Sequence, residues 1–364
     1  MIVARAAWTP CSTYLLWSLQ PAMHIVLCYA VEPRYLDQIQ AAAPTMTITD
    51  AGQQGIPEAI FEADIYCGHA KERPVPWDQV VGQRRLKWIQ SSAAGLDHCL
   101  APAVIDSDIQ VTSASGLFAN QVAEQTMALL LGVLRSLPVF FRQNVRHEFI
   151  RRPTLDLHGS TVGIVGFGGN GRRIAQVLAP YRIRILATDI YPIRRPAEVE
   201  QLWPADRLDD LLRQSDILIL GMPLNQQTRG MIGARELALL KPGAILINVA
   251  RGPCVNESDL IAALSSGHLA GAGLDVTEIE PLAADSPLWE LPNVLITPHV
   301  GAQGRTRNDD VTDLFCENLH RFQSGIPLWN EVDKRLGFPH PNRSWFFADP
   351  KNRTSGLASR SAST

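Results

Sequence analysis

Short apolar runs alternate with amphipathic segments along most of the chain. In the first third, four apolar runs bounded by small or polar residues predict strands, namely HIVLCYA (24–30), ADIYCG (63–68), LKWIQSSAAG (86–95) and IQVTSAS (109–115). The segment EPRYLDQIQAAA (32–43) predicts a helix between the first two strands. Alternation of strand and helix is typical of a parallel α/β sheet.

A long helix is predicted over 120–137, with Asn120 as a suitable N-cap. Its apolar residues recur at helical spacing, at Val122, Met127, Leu130, Leu131 and Leu134. The next segment, 138–158, is charged and irregular, and it predicts no regular element.

A second and more regular alternation begins at Thr161. Strands are predicted over 161–167, 184–189, 216–222, 244–250, 270–276 and 294–299. Helices are predicted over 171–178, 208–214, 234–240 and 257–265, and a last helix over 309–322 should return to the first half of the chain. This pattern predicts six strands of a doubly wound parallel sheet.

Composition adds a few restrictions. The 364 residues are 46% hydrophobic and carry a net charge of -3, which is typical of a soluble globular protein with two domains. No basic excess or like-charged block indicates nucleic acid or a membrane surface as a partner, and no apolar run reaches the ~20 residues of a membrane helix. The six cysteines form no CxxC pair and no zinc-ligand cluster, so we expect no metal and reduced thiols in the cytoplasm.

The first strand of the second alternation runs into GFGGNG, where Gly166, Gly168 and Gly171 fit G-x-G-x-x-G. Such a loop between strand and helix lets a pyrophosphate approach the backbone and the free N–H groups of the helix start. The acid Asp189 ends the next strand, where a ribose hydroxyl partner is expected. The predicted cofactor is therefore NAD, held by the whole loop, including Phe167, Gly169 and Asn170, although Arg194 and Arg195 leave NADP open.

The other conspicuous polar residues follow the carboxyl ends of later strands, which is where open α/β sheets bind ligands. Taken alone, Arg251 fits a surface residue, Glu280 a solvated loop carboxylate and Asp275 a cap. Because all three residues are expected at the same edge of the sheet as the glycine loop, a role in ligand binding or catalysis is favoured instead. We assign to the cofactor at this edge Pro223, Thr228, Ala250, Asp275, His299 and Gly301. His268 lies at the opposite edge and is predicted to be structural, whereas His69 is a candidate for a substrate cleft in the first domain.

Six segments carry a resemblance to a known family: GFGGNG, TDIY, PLNQQTRGMIG, LKPGAILINVARG, AGLDVTEIEPL and LPNVLITPHVG. Over roughly 23–337 the chain resembles the D-isomer-specific 2-hydroxyacid dehydrogenase family. The resemblance implies a catalytic set of Arg251, Glu280 and His299, and a homodimer joined through the nucleotide domains. It also implies that the loop SSAAGLD (91–97) holds a substrate carboxylate on the N–H groups of Ala94 and Gly95.

The resemblance completes the predicted fold class: two Rossmann-like doubly wound parallel-sheet domains, with the nucleotide domain inserted into the substrate (catalytic) domain. The substrate domain should comprise 23–121 and 301–338, and the NAD-binding domain 122–300. Residues 1–22 should precede the core, and 339–364 should be a mostly disordered tail. Whether Trp345, Phe346 and Phe347 dock locally is left open.

The residue chemistry agrees with a dehydrogenase that acts on CH–OH donors. Arg251 offers a forked, permanently charged donor for the carboxylate of a 2-oxo acid. His299 can give a proton to the carbonyl oxygen as hydride arrives, or accept one in the reverse direction. Glu280 is placed to orient the ring and to favour its charged form.

The substrate and some alternatives stay open. Glyoxylate, hydroxypyruvate or an aryl-pyruvate fit equally well, because the loop SSAAG differs from its form in the best-known members, and Asn170 is unusual before the third glycine. An NAD-sensing, corepressor-like binding protein is the alternative on the same fold. A formate-type dehydrogenase is disfavoured because its insertions are missing, and a longer serine-pathway dehydrogenase because no extra domain is expected after Gly337.

Overall fold

A computed structural model of the chain describes residues 22–347. Within that range the chain forms two parallel sheets with helices on their faces, which confirms the predicted fold class. The expected N-terminal extension, apart from Ala22, and the part of the expected tail after Phe347 lie outside the described residues.

The first sheet has five parallel strands in the order β2-β1-β3-β4-β5. Its strands are β1 (His24–Cys28), β2 (Thr47–Asp50), β3 (Ile65–Gly68), β4 (Trp88–Ser91) and β5 (Gln110–Thr112), and its helices are α1 (Pro33–Ala42), α2 (Gly52–Ala59), α3 (Trp77–Gly82) and α4 (Pro102–Ile105). The central strands β3 and β4 are buried throughout, as expected when helices cover both faces of a sheet. The sequence TITD of β2 escaped prediction because this edge strand is half exposed and has no apolar run.

The second sheet has seven parallel strands in the order β12-β11-β10-β9-β6-β7-β8. They are β6 (Thr161–Val165), β7 (Arg184–Asp189), β8 (Gln201–Pro204), β9 (Ile217–Leu220), β10 (Ala244–Asn248), β11 (Leu269–Leu274) and β12 (Val294–Ile296). The prediction of six strands is wrong, because β8 is another half-exposed edge strand. The strand order reverses between β6 and β9, and in open α/β sheets ligands bind at such a switch point.

The helices of the second half are α5 (Ala119–Leu134), α6 (Leu137–Val145), α7 (Gly169–Leu178), α8 (Leu208–Gln214), α9 (Ala234–Leu239), α10 (Glu257–Ser265) and α11 (Arg307–Gln323). Two predictions are wrong here. Asn120 lies inside α5 rather than at its cap, and the N-cap residue Phe118 makes no side-chain cap bond. The segment predicted to be irregular contains α6, whose apolar residues are partly exposed and so leave a weak pattern.

The last part of the described chain returns to the first sheet. Helix α11 packs in the same core as β1 and β4, through Val311, Phe315 and Leu319. Strand β13 (Val332–Asp333) pairs antiparallel with β14 (Phe338–Pro339), and two short 3-10 turns follow at Pro341–Arg343 and Trp345–Phe347. The tail predicted to be disordered from 339 is therefore ordered as far as 347. The Trp345 ring docks edge-on against Trp329, with the ring centroids 6.0 Å apart.

Between residues 22 and 347, no single helix is long and apolar enough to cross a bilayer. The pair α5 and α6 passes that test together by length and composition only, and the two helices meet at a bend of 69°.

Candidate active site

The glycine loop joins β6 to α7 and is shaped by two close backbone contacts. Gly166 has φ +89°, and a Cβ there would lie 2.5 Å from the Met222 nitrogen, so the position requires glycine. A Cβ on Gly171 would lie 2.4 Å from the Gly166 carbonyl oxygen, which keeps α7 close to the strand. Helix α7 begins at Gly169, so its first N–H groups lack helical acceptors and can bind an anion.

The acid Asp189 ends β7 beside this loop. Its carboxylate accepts hydrogen bonds from the Phe167 N–H (2.6 Å) and the Tyr191 N–H (2.7 Å). Burial raises the pKa of the Asp189 carboxyl, and these hydrogen bonds oppose part of the rise. The guanidinium of Arg195, which the sequence left as a counterargument to NAD, donates to the carbonyls of Val199 and Glu200.

A cavity of about 820 Å³ runs along the carboxyl edge of the second sheet from this loop. It is large enough for an extended dinucleotide, and its lining includes most of the predicted cofactor and substrate positions: Ala94, Gly95, Gly166, Phe167, Gly168, Gly169, Asn170, Asp189, Pro223, Thr228, Ala250 and Arg251. The predicted positions outside its lining are Gly171, Asp275, Glu280, His299 and Gly301.

One wall of the cavity was not predicted. Residues 334–346, here called the C-terminal strap, cross from the first sheet to this 820 Å³ cavity, hereafter the coenzyme cavity because it begins at the glycine loop, and line it from Lys334 to Pro339. The Leu336 carbonyl accepts a hydrogen bond from Asn225 Nδ2 at 2.9 Å. The Phe346 ring lies against Gly169, where an added Cβ would be 3.1 Å from its Cδ2 atom. The aromatic residues in an otherwise polar tail were the only sequence signal for this wall.

Arg251 follows β10 and reaches the first domain. Its Nε donates to Asp97 Oδ2 at 3.1 Å, and its Nη1 donates to the Ala250 carbonyl at 2.7 Å. The guanidinium also lies on Gly95, because a Cβ built there would be 1.4 Å from Arg251 Nη2. The loop predicted to bind a carboxylate and the arginine predicted to bind the same group therefore face each other. Sequence reasoning missed Asp97, although an acid two residues after Gly95 was a usable signal.

His299 and Glu280 form a hydrogen-bonded pair of partly exposed side chains. His299 Nδ1 lies 2.8 Å from Glu280 Oε2, and the Thr277 N–H donates to Glu280 Oε1 at 3.3 Å. Burial would raise the pKa of Glu280, but the His299 hydrogen bond and charge, the Thr277 N–H and the Arg251 charge outweigh it, so the pKa is lowered. Since Nδ1 is engaged, Nε2 is the ring nitrogen left for a substrate, and it has no hydrogen-bond partner among residues 22–347.

The turn after Arg251 packs directly on the loop that carries Glu280. A Cβ on Gly252 would lie 1.8 Å from the Thr277 carbonyl oxygen, so the two backbones touch. Together with the contribution of Arg251 to the lowered pKa of Glu280, this contact brings the three predicted residues Arg251, Glu280 and His299 to one edge.

Asp275 lies behind that edge instead of facing the cavity. The carboxylate is buried and accepts hydrogen bonds from Thr297 Oγ1 (2.6 Å), the Val300 N–H (3.0 Å) and the Gly301 N–H (2.8 Å). Its shortest hydrogen bonds are therefore with the segment that presents His299, and Gln125 Nε2 of α5 also donates to it at 3.4 Å. A cofactor contact for Asp275 and Gly301 stays a prediction.

Two histidines of the sequence analysis occupy opposite edges of their sheets. His268 Nε2 lies 3.0 Å from the Leu237 carbonyl, a contact within the second domain away from the cavity. His69 follows β3 in the first domain and stacks on His98, with the ring centroids 3.9 Å apart. Burial, with help from nearby positive charges, lowers the pKa of His69 to about 3 and that of His98 to about 4, so both rings are neutral at pH 7.

These features define a two-domain α/β protein with a dinucleotide cradle and an Arg, Glu and His set at one sheet edge. Residues 127–301 match the family model described as "D-isomer specific 2-hydroxyacid dehydrogenase, NAD binding domain". The chain is 36% identical over 252 residues to a glyoxylate reductase from Thermococcus gammatolerans, covering 66% of this chain and 74% of that protein. The chain therefore belongs to the D-isomer specific 2-hydroxyacid dehydrogenase family and is an NAD-binding oxidoreductase.

Two solved structures extend the comparison to both domains. A D-isomer specific 2-hydroxyacid dehydrogenase from Xanthobacter autotrophicus, in complex with NADPH and MES, is 30% identical with a TM-score of 0.74, covering 87% of this chain and 100% of that one. An NADPH-dependent glyoxylate/hydroxypyruvate reductase from Sinorhizobium meliloti, in complex with NADP and sulfate, is 27% identical with a TM-score of 0.72, covering 86% and 99%.

Proposed function

We propose that this enzyme interconverts a small 2-oxo acid and its D-2-hydroxy acid with NAD(H), on the catalytic set Arg251, Glu280 and His299. The observation that carries the proposal is the His299–Glu280 pair at 2.8 Å, on the same edge as an arginine that faces the 91–97 loop. Relatives named glyoxylate reductase and glyoxylate/hydroxypyruvate reductase support a small 2-oxo acid as the substrate class.

The residues divide the work in a simple way. Arg251 and the N–H groups of Ala94 and Gly95 hold the substrate carboxylate, because a guanidinium fork and backbone donors both suit that group. His299 Nε2 donates its proton to the carbonyl oxygen during reduction and accepts it during oxidation. Glu280 orients the ring through Nδ1. When bound, the nicotinamide supplies or accepts the hydride at the substrate carbon.

For the coenzyme we propose NAD(H) rather than NADP(H). The glycine loop and Asp189 fit a pyrophosphate and a ribose hydroxyl, and the Asp189 carboxylate would repel a 2′-phosphate. Asp189 is a lining residue of the cavity, and two backbone N–H groups hold its carboxylate in place. The test compares kcat/KM for NADH and NADPH in wild type and in Asp189→Ala. A wild-type preference for NADPH would overturn this choice.

The division of the chain, its assembly and its compartment are further parts of the proposal. Residues 23–121 with 301–338 are proposed as the substrate domain and 122–300 as the NAD-binding domain. A homodimer through the nucleotide domain is supported by a run of exposed apolar side chains, at Leu137, Phe141, Val145, Phe149, Ile150 and Leu155. A cytoplasmic location is supported by the free thiols of Cys28, Cys67, Cys99, Cys254 and Cys316.

The proposed reaction is tested by NADH oxidation against a panel of 2-oxo acids, including glyoxylate, hydroxypyruvate and phenylpyruvate. We expect turnover of at least one, and a loss of at least ~100-fold in rate for His299→Ala and for Arg251→Ala. His320→Ala is the matched control, because His320 is exposed on α11. Binding of NADH without turnover of any acid would refute the enzyme and favour a corepressor-like binding protein.

A further inference from the structure

A second cavity of about 350 Å³ lies on the first domain, apart from the coenzyme cavity. It opens at the carboxyl ends of β1, β3 and β4 and at the start of α11, where Tyr29, His69, Ser92 and Gly304 line it. Ser92 belongs to the same 91–97 loop that faces Arg251. The second cavity therefore adjoins the proposed substrate site and has no role in the proposed reaction.

Two buried polar atoms of this cavity have no hydrogen-bond partner among the described residues, His69 Nδ1 and Arg307 Nη1. Arg307 is otherwise well fixed, because its Nη2 donates to the Ser92 carbonyl at 3.2 Å and its guanidinium lies 4.5 Å from the centroid of the Phe118 ring. Leaving a buried polar group unpaired is unfavourable, because its hydrogen bonds to water are lost and not replaced. Buried groups of this kind are usually satisfied by an ordered water or a bound ligand, and both side chains belong to residues that line the second cavity.

The charges around the second cavity identify the kind of ligand. Lys71, Arg305 and Arg307 line it, and none of the three has a carboxylate partner among residues 22–347. Arg34 also lines the cavity but is paired with Glu32 at 2.8 Å and with Asp309 at 3.3 Å. The wall therefore carries three uncompensated cations, and an anionic group is the complementary ligand.

His69 links the second cavity to the 91–97 loop. Its ring lines the cavity and stacks on His98, whose Nε2 lies 3.3 Å from Ser91 Oγ of that loop. Burial and the neighbouring His98 are the main causes of the lowered pKa of His69. The positive charges of Lys71, Arg307 and Arg251 lower this pKa further, so the imidazole lies near both arginines. Because the 91–97 loop contacts Arg251 at Gly95 and lines the second cavity at Ser92, the two sites lie on either side of one short loop.

We propose that the second cavity is a subsite for a second anionic group of the substrate, so that the preferred substrate is a 2-oxo acid with a distal carboxylate or phosphate. This proposal rests on the proposed function for the position of the first carboxylate. The positive charges of Lys71, Arg305 and Arg307 then attract the distal group, and His69 lines the same cavity.

The test uses pairs of 2-oxo acids of equal carbon number. Initial rates of NADH oxidation are measured for 2-oxoglutarate against 2-oxopentanoate, and for 3-phosphohydroxypyruvate against hydroxypyruvate. We expect kcat/KM to be at least about tenfold higher for one anionic member, the size of one charge-assisted hydrogen bond. The pair that shows the preference distinguishes a distal carboxylate from a phosphate.

Variants connect the preference to the cavity. In Lys71→Ala/Arg305→Ala, both on the exposed mouth, the preference should fall at least about fivefold, with the rate on the uncharged partner unchanged. Arg307→Lys should lower the preference for the anionic acid further, because a single ammonium cannot replace the paired N–H donors of a guanidinium. Lys87→Ala is the matched control, since Lys87 is an exposed cation at the opposite edge of the same sheet. Equal rates for both members of each pair, or a preference that survives these variants, would overturn the subsite.

A binding measurement separates this proposal from the proposed reaction. Thermal shifts with succinate and with butyrate report the subsite even if no 2-oxo acid turns over. The subsite would be supported, independently of the proposed reaction, if succinate stabilises the wild type and this stabilisation is lost in Lys71→Ala/Arg305→Ala. No difference between succinate and butyrate in an enzyme that reduces glyoxylate would refute the subsite and leave the proposed reaction standing.

Discussion

Replacing Gly95 by alanine should displace Arg251 without unfolding the protein. The new Cβ would lie 1.4 Å from Arg251 Nη2, 2.5 Å from Cζ and 2.9 Å from Nε. Because non-bonded heavy atoms pack at ~3.5–4.0 Å, the guanidinium has to move by roughly 2 Å. The clashing atoms belong to the flexible end of a long side chain, so the backbone can stay where it is.

The size of the effect follows from what the displaced guanidinium loses. The hydrogen bond to Asp97 and the proposed hydrogen bonds to the substrate carboxylate are charge-assisted, and each is worth ~1.5–3 kcal/mol. Loss of one such bond to the substrate lowers kcat/KM by about 10–150-fold. We therefore expect Gly95→Ala to approach the effect of Arg251→Ala, mainly through a higher KM for the 2-oxo acid.

The assay is steady-state NADH oxidation with the best 2-oxo acid of the panel, together with urea unfolding. Gly82→Ala is the matched control, because Gly82 ends α3 and an added Cβ there meets nothing within 4 Å. Gly95→Ala/Arg251→Ala should be no slower than Arg251→Ala, since both changes remove the same contact. A folded Gly95→Ala enzyme with kcat/KM within about twofold of wild type would refute the placement of Arg251 against Gly95.

Three further predictions concern other parts of the molecule. Glu280→Gln should lower kcat at pH 7 on the order of 10–100-fold, because an amide replaces the carboxylate that hydrogen-bonds Nδ1 and orients the ring. The folded-state pKa of Glu280 is lowered, so its contribution to stability is present above the ordinary glutamate pKa of ~4.3 and is lost as the pH falls through the folded-state value. The difference in unfolding free energy between wild type and Glu280→Gln in urea should therefore shrink as the pH falls through this range; a constant difference would contradict the ionic pairing. Phe141→Asp/Phe149→Asp should convert a dimer to a monomer in sedimentation velocity, since both rings are exposed at 56% and 101%; an unchanged sedimentation coefficient would place the interface elsewhere. Phe346→Ala should raise the Kd for NADH by roughly fivefold in a fluorescence titration, because the ring packs on Gly169 of the phosphate loop; an unchanged Kd would show that the C-terminal strap does not support this loop.

The parts of the fold that were predictable are those whose burial leaves a pattern in the sequence. Strand β7 and helices α8 and α10 begin and end where the apolar runs and polar boundaries placed them. The edge strands β2 and β8 are half exposed, so their alternation is diluted and they were missed. Asn120 shows a related limit, because a good capping residue can also lie within the first turn of a helix.

For the site, the position of a residue at the end of a strand predicted the sheet edge where it lies, but not the direction of its side chain. The carboxyl edge brought Arg251, Glu280 and His299 together, because parallel strands deliver their ends to one side of a sheet. Asp97 and Arg307 lie far along the chain from the residues they contact, so the sequence could at most mark the acid after Gly95 and could not show its partner. The C-terminal strap was missed for a similar reason, since its contacts are with residues far along the chain, among them Gly116 and Gly169 beside Phe346.

Asp275 illustrates how a residue can share the active-site edge and still act through another residue. His299 has φ +54°, a left-handed conformation that costs a non-glycine residue roughly 1–2 kcal/mol. The buried Asp275 carboxylate accepts two N–H groups and one hydroxyl from the residues on either side of His299. Charge-assisted bonds of ~1.5–3 kcal/mol each are sufficient to offset that strain. We therefore infer that Asp275 is a positioning residue for His299, the proposed acid/base, because its buried carboxylate holds the backbone on either side of that histidine.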